Sequence, residues 1–324
     1  MGTHQGARAL LTRIAVASGL LVTLMIPASA VAAGGAPTAK SSAVSAHVAA
    51  APTCGNEYLA PIPGNPPWTC TFDDEFNSTT GDANSLNTSW WTPQVTANSA
   101  YTTGSPGSEV CYVNSPNNIS VSNGALHLTV RKESAPLNCG GLFTTQYTGG
   151  MVTTYSHFSQ TYGRFEVRAL LPQTAVQGLQ ETLWMAPVTD AYGAWPASGE
   201  VDFSEFYSEY PLLDVPYFHY NYNPATTSIL TYENETTGYC PILPAVYNTY
   251  AVTWAPGAFL VQVNGLTCLI DYYVPDNGLY SPEPFNRPFM IALTQALGYG
   301  SDAFLPGTTP LPATTSVEYV RAWK

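Results

Sequence analysis

Charge is scarce in this 324-residue chain. Only 10% of its residues are Asp, Glu, Lys or Arg, and 10 basic residues stand against 22 acids. The formal net charge of −12 excludes an electrostatic grip on nucleic acid, on an anionic membrane surface or on a polyanionic substrate. Long apolar runs are also missing. The run at 14–26 is about a dozen residues, against the roughly 20 needed to cross a bilayer. No C-x-x-C spacing suggests zinc, and G-x-S-x-G, H-E-x-x-H and G-x-x-x-x-G-K are all absent. Beyond residue 50 only His127, His157 and His219 remain as imidazoles. Helical periodicity is hard to find.

What is present begins with an address. Arg8 and Arg13 precede the apolar run, and Pro-Ala-Ser-Ala follows it at 27–30, the layout of a secretory signal peptide over residues 1–30. Residues 31–50 are almost entirely Ala, Ser, Gly, Thr, Val and Pro, which reads as a flexible linker. Residues 51–324 then form one domain, expected to be secreted, extracellular, monomeric and free of the membrane once the signal is removed. Losing 1–30 removes two arginines and no acid, so the net charge becomes −14. The six cysteines (54, 70, 111, 139, 240, 268) suggest three disulfides, and pairing of neighbours in sequence is the working expectation. Abundant Thr, Ser, Asn and Tyr suit a neutral, hydroxyl-rich partner such as a glycan.

Alternation of apolar and polar residues dominates the domain. In 118–132, Ile119 and Val121 alternate with serines up to Asn123-Gly124, and an alternating pattern resumes from Ala125, which predicts a β-hairpin. In 162–172, Phe165, Val167 and Ala169 predict a core face, while Arg164, Glu166 and Arg168 predict cross-strand ion pairs on a solvated one. Further strands are predicted at 249–255, 259–265, 289–297 and 316–323. With 27 prolines and 26 glycines as punctuation, the chain reads as an all-β sandwich of antiparallel sheets.

One stretch breaks the scarcity of charge. GEVDFSE at 199–205 holds Glu200, Asp202 and Glu205 within six positions. In a regular strand Glu200 and Asp202 share a face and Glu205 points away; a β-bulge near Phe203-Ser204 would return Glu205 to them. Two like charges about 4 Å apart at an effective dielectric of 20 repel by roughly 4 kcal/mol, worth roughly three pKa units. At least one of the three should therefore hold a proton near neutral pH. A carboxylate beside a carboxylic acid is equipment for cleaving a glycosidic bond. A calcium site and chance clustering compete with that reading.

WPASGEVDFSE at 195–205 resembles the active-site strand of the family 16 glycoside hydrolases, in the bulged E-x-D-x-x-E form of laminarinases. TFDDEFN (71–77), NISVSNGALHLTV (118–130), the 147–172 segment and VEYVRAWK (317–324) resemble other parts of that family, in its order. The resemblance implies a jelly-roll β-sandwich with a concave glycan cleft, needing no cofactor, and a retaining endo-β-glycanase whose polysaccharide substrate is most simply β-1,3-glucan. Glu200 would be the nucleophile, Glu205 the general acid and then base, and Asp202 the residue tuning their protonation. Retention requires carboxyl groups about 5–5.5 Å apart. Trp184 and Trp195 match cleft-lining positions, with core burial as the alternative for each. Asn118 and His219 match residues that reach sugar hydroxyls, and His219 could equally be a core histidine. The sequence departs from the family at Phe203-Ser204, often Ile-Met, and at Leu293-Thr294-Gln295, usually Leu-Asn-Leu. Both departures are expected near the cleft, leaving open another neutral glycan, transglycosylation, or a jelly roll that binds without turnover. Glu318, where relatives often have an Asp near a structural calcium, leaves room for that ion.

Overall fold

The computed structural model describes residues 52–62, 64–77, 85–220, 240–275 and 278–324, with the backbone of Glu235–Thr236. The predicted signal peptide and linker lie outside the described residues.

Two sheets account for nearly all the strands. The larger runs Leu266–Asp271, Ala258–Val263, Asn248–Ala255, Gly163–Leu170, Ala313–Trp323, Ala125–Cys139, Phe143–Gly149 and Val110–Tyr112. Cys70–Asp74 adds to it beside Ala313–Trp323, and Ile119–Ser122 beside Ala125–Cys139. The smaller sheet runs Glu235–Thr236, Tyr217–His219, Glu200–Tyr207, Leu179–Pro187, Phe289–Leu297, Met151–Thr153 and Thr92–Pro93. Pairing is antiparallel except where Val110–Tyr112 meets Phe143–Gly149.

The alternation of the sequence becomes the two faces of each strand. Phe165, Val167, Tyr250 and Val252 of the larger sheet share one buried cluster with Leu183, Met185, Val201, Phe203, Ile291 and Leu293 of the smaller. Each such side chain contributes about 1.5–3 kcal/mol of burial, so the strand faces cannot be exchanged without losing the core. The predicted hairpin forms with Ser122 opposite Ala125. Asn123 and Gly124 both take positive φ (52° and 72°), the two-residue turn whose twist matches the strands it joins.

The charged face of Gly163–Leu170 departs from expectation. Glu166 is buried, and its partner is Arg164 on the same strand, 2.6 Å away, with Tyr319 donating from the neighbouring strand at 2.8 Å. Only Arg168 pairs across strands, with Glu318. The Arg164–Glu166 end of the face is covered, with the 52–57 segment returning beside it, while the Arg168–Glu318 pair remains partly exposed as expected. Cys54 is bonded to Cys70, its main-chain amide donates to Asp73, and Glu57 lies 3.2 Å from Arg321. The other disulfides join Cys111 to Cys139 and Cys240 to Cys268, so all three link neighbours in sequence.

Candidate active site

The three acids lie on Glu200–Tyr207, third from one end of the smaller sheet. Against Leu179–Pro187, Val201 faces Met185 and Asp202 faces Trp184; after a register shift Ser204 faces Leu183 and Glu205 faces Thr182. Phe203 is the extra residue. Trp184 and Thr182 are two apart and share a face, so their partners Asp202 and Glu205 do as well. Val201, Phe203 and Phe206 are fully buried on the opposite side and hold the strand down. The bulge expected near Phe203-Ser204 is there, and it puts all three carboxyls on one side.

Their environment opposes ionisation. Burial, first of all, raises Asp202 to about 8, against the pull of a hydrogen bond with Glu200. Burial and then the charge of Asp202 push Glu200 well above the carboxylate range; His219 and a hydrogen bond from Trp195 pull the other way. Glu205 rises to about 8 through burial and then Asp202, opposed by Tyr207, His219 and Gln180. Such a trio holds protons at neutral pH, as the sequence spacing requires.

The remaining predicted residues divide. His219 pairs with Glu200 across the strands, and its Nε2 lies 3.1 Å from Asp202 Oδ2. Trp195 is half-buried with its ring 5.4 Å from that imidazole. Trp184 faces the acids' side but is only 5% exposed: its Nε1 donates to Thr294 Oγ1 at 2.9 Å and its ring stacks on Tyr101. It forms floor, not an open platform. Asn118 is not brought to the acids. It is 1% exposed, with its amide donating to the Thr129 carbonyl and to Thr148 Oγ1, both at 3.0 Å, so the structure gives it a framework position instead of the sugar contact expected.

Two further expectations change. Phe203, Ser204 and Gln295 are fully buried and do not line a cleft. Gln295 instead bonds Glu181 and accepts from Thr315 Oγ1, a polar chain between the sheets. Glu318 is paired with the Arg168 guanidinium. Among the described residues Glu200, Asp202 and His219 do offer one ligand atom each within 4.8 Å of one another, a spacing that would admit a divalent ion.

Sequence reasoning missed Gln180, Tyr207 and Tyr101. Gln180 donates to Glu205 Oε1, and Tyr207, paired opposite Gln180, bonds the same carboxyl. Simple alternation from Glu205 to Tyr207 would have found the tyrosine. Tyr101 arrives from a distant loop with no local signal. Its hydroxyl is pushed far up by burial, then by Tyr112 and by all three acids, which shows how near it stands to them.

Comparison with known proteins places the chain among glycoside hydrolases. The family described as Glycosyl hydrolases family 16 matches residues 107–274, just over half of the chain. Glucan endo-1,3-beta-glucosidase A1 of Niallia circulans is 29% identical over 276 residues, covering 78% of this chain and 37% of that protein. Keratan-sulfate endo-1,4-beta-galactosidase of Sphingobacterium multivorum is 32% identical over 184 residues, covering 55% of this chain and 40% of that protein. The chain thus spans about two fifths of these curated relatives' length. Among solved structures, SCLam, a non-specific endo-beta-1,3(4)-glucanase from family GH16, superposes with a TM-score of 0.64 at 25% identity, over 83% of this chain and 94% of that one. The sandwich is a jelly roll of that type, and the chain belongs to glycoside hydrolase family 16.

Proposed function

We propose that this protein is a secreted, retaining endo-β-glycanase that cleaves β-1,3-glucan. The observation that carries the reading is the bulge at Phe203, which turns Glu205 to the side already occupied by Glu200 and Asp202. In the proposed reaction Glu200 is ionised while Asp202 keeps the proton between them, its charge favoured by His219 and Trp195. Glu200 attacks the anomeric carbon while Glu205, protonated below about pH 8, gives its proton to the leaving oxygen. Water, deprotonated by the same Glu205, then releases the glycosyl group from Glu200. Asp202 holds a proton against Glu200 and is itself oriented by His219. Trp195, the more open of the two indoles, offers its face to a sugar ring.

A net charge of −12 supports a neutral polymer over a sulfated one, and the glucanase names among the relatives point the same way. The test is product analysis on laminarin, lichenan, galactan and agarose, with Glu200→Gln as control. Reducing ends should appear from laminarin with retained configuration and vanish in the variant while laminarin binding persists. Binding without release by the natural chain on all four polymers would leave a glycan-binding jelly roll instead.

A further inference from the structure

Bulges interrupt the ladder, and something must hold the freed chain in place. Tyr217–His219 pairs with the acid strand only at Glu200, Val201 and Asp202. Past the bulge, that flank is taken by Leu213–Asp214 and Val215. The Val215 amide donates to the Glu205 carbonyl at 2.9 Å, and Ser204 Oγ donates to Asp214 Oδ1 at 2.6 Å. Ser204 and Asp214 are both fully buried, and Asp214 Oδ2 has no side-chain partner. The carboxyl also faces the main-chain amides of Glu205 and Val215.

We infer that Asp214 is a positioning residue: through Ser204 and the Glu205–Val215 backbone it clamps the far side of the bulge and aims Glu205 at the leaving oxygen. Asp214 touches no substrate. It acts from the core side, directly behind the acid, where a fully buried carboxyl is costly unless it is used. Burial above all pushes its carboxyl well above the ordinary range; the Ser204 bond opposes that rise and the charge of Glu205 adds to it. A group that fixes a proton donor matters because a displacement of about 1 Å can cost about 100-fold in rate.

The inference rests on the proposed role of Glu205, and its test separates the two. Asp214→Ala, Asp214→Asn and Ser204→Ala are compared with the natural chain on laminarin and on 2,4-dinitrophenyl β-laminaribioside, whose leaving group needs no proton. With Asp214→Ala, kcat/KM on laminarin should fall at least about tenfold, and on the dinitrophenyl glycoside less than about threefold. Asp214→Asn should recover most of that loss, since its amide can turn to donate to Ser204 and accept from the main chain. Ser204→Ala, which removes only the 2.6 Å bond, should fall between them. Amide exchange at Glu205 and Val215 should quicken at least about tenfold in Asp214→Ala while Val201 stays protected. Parallel loss on both substrates, no loss on either, or unchanged exchange would overturn the clamp. If the natural chain cleaves neither substrate, the proposed function fails, and the exchange rates alone then decide whether Asp214 holds the bulge.

Discussion

Two clusters of acids sit on this sandwich, one on each sheet, and they are treated in opposite ways. On the larger sheet, Arg321 meets Glu75 at 2.7 Å, Glu57 at 3.2 Å and Asp73 at 3.8 Å, while Arg164 meets Glu166. On the smaller sheet, Glu200, Asp202 and Glu205 have no guanidinium among the described partners, only His219, Trp195, Gln180 and Tyr207. A chain with just 10 basic residues pairs arginines with the acids of the larger sheet and, among the described contacts, places none on the trio, as the proposed proton transfers require. Neutralisation serves the fold; its absence suits the proposed chemistry.

The contrast can be broken most severely at the acids. Glu205→Gln should lower kcat on laminarin by roughly 10²- to 10⁴-fold without lowering thermal stability, measured by reducing-end release and calorimetry. On the other sheet the effects should exchange places. Arg321→Ala strands three acids and should cost about 2 kcal/mol of unfolding free energy in urea, with kcat per folded molecule unchanged.

A subtler test uses pH. Asp202, at about 8 in the fold against an ordinary 3.8, binds a proton more tightly when folded, so its contribution is complete below about pH 4 and is lost as pH rises toward 8. Asp202→Asn removes that loss, and its melting temperature relative to the natural chain should climb between pH 4 and pH 8. The same ionisation logic for Glu205 predicts that kcat/KM declines above about pH 8. The smallest effect should come from Trp195→Ala, a rise in KM of a few-fold to about tenfold with kcat little changed, in keeping with about 0.5–1.5 kcal/mol for an aromatic contact.

Much of this was legible before any coordinates. Strand faces follow from period-two alternation, so Phe165, Val167 and Ala169 were readable as core, and Asn123-Gly124 as a hairpin turn. The bulge was legible for a chemical reason: three acids at spacings of two and three share a face only if one residue is inserted. Other readings failed where long-range packing decides. Nothing local in Asn118 reveals that Thr129 and Thr148 occupy its amide, and nothing in Glu166 reveals that it is buried, with a segment returning from residues 52–57 beside it. Ser204 and Gln295 were expected near the cleft from the family pattern, yet both turn inward.

By itself, then, the sequence determined the β architecture, the excess of acids over bases and the identity of the three clustered carboxyls, because periodicity, charge and spacing are properties of neighbours along a chain. Only the tertiary structure decided which polar groups surround those carboxyls. Gln180, Tyr101 and Asp214 reach the acid strand from other strands and loops, and in a low-dielectric interior it is such cross-chain contacts that decide where a proton rests.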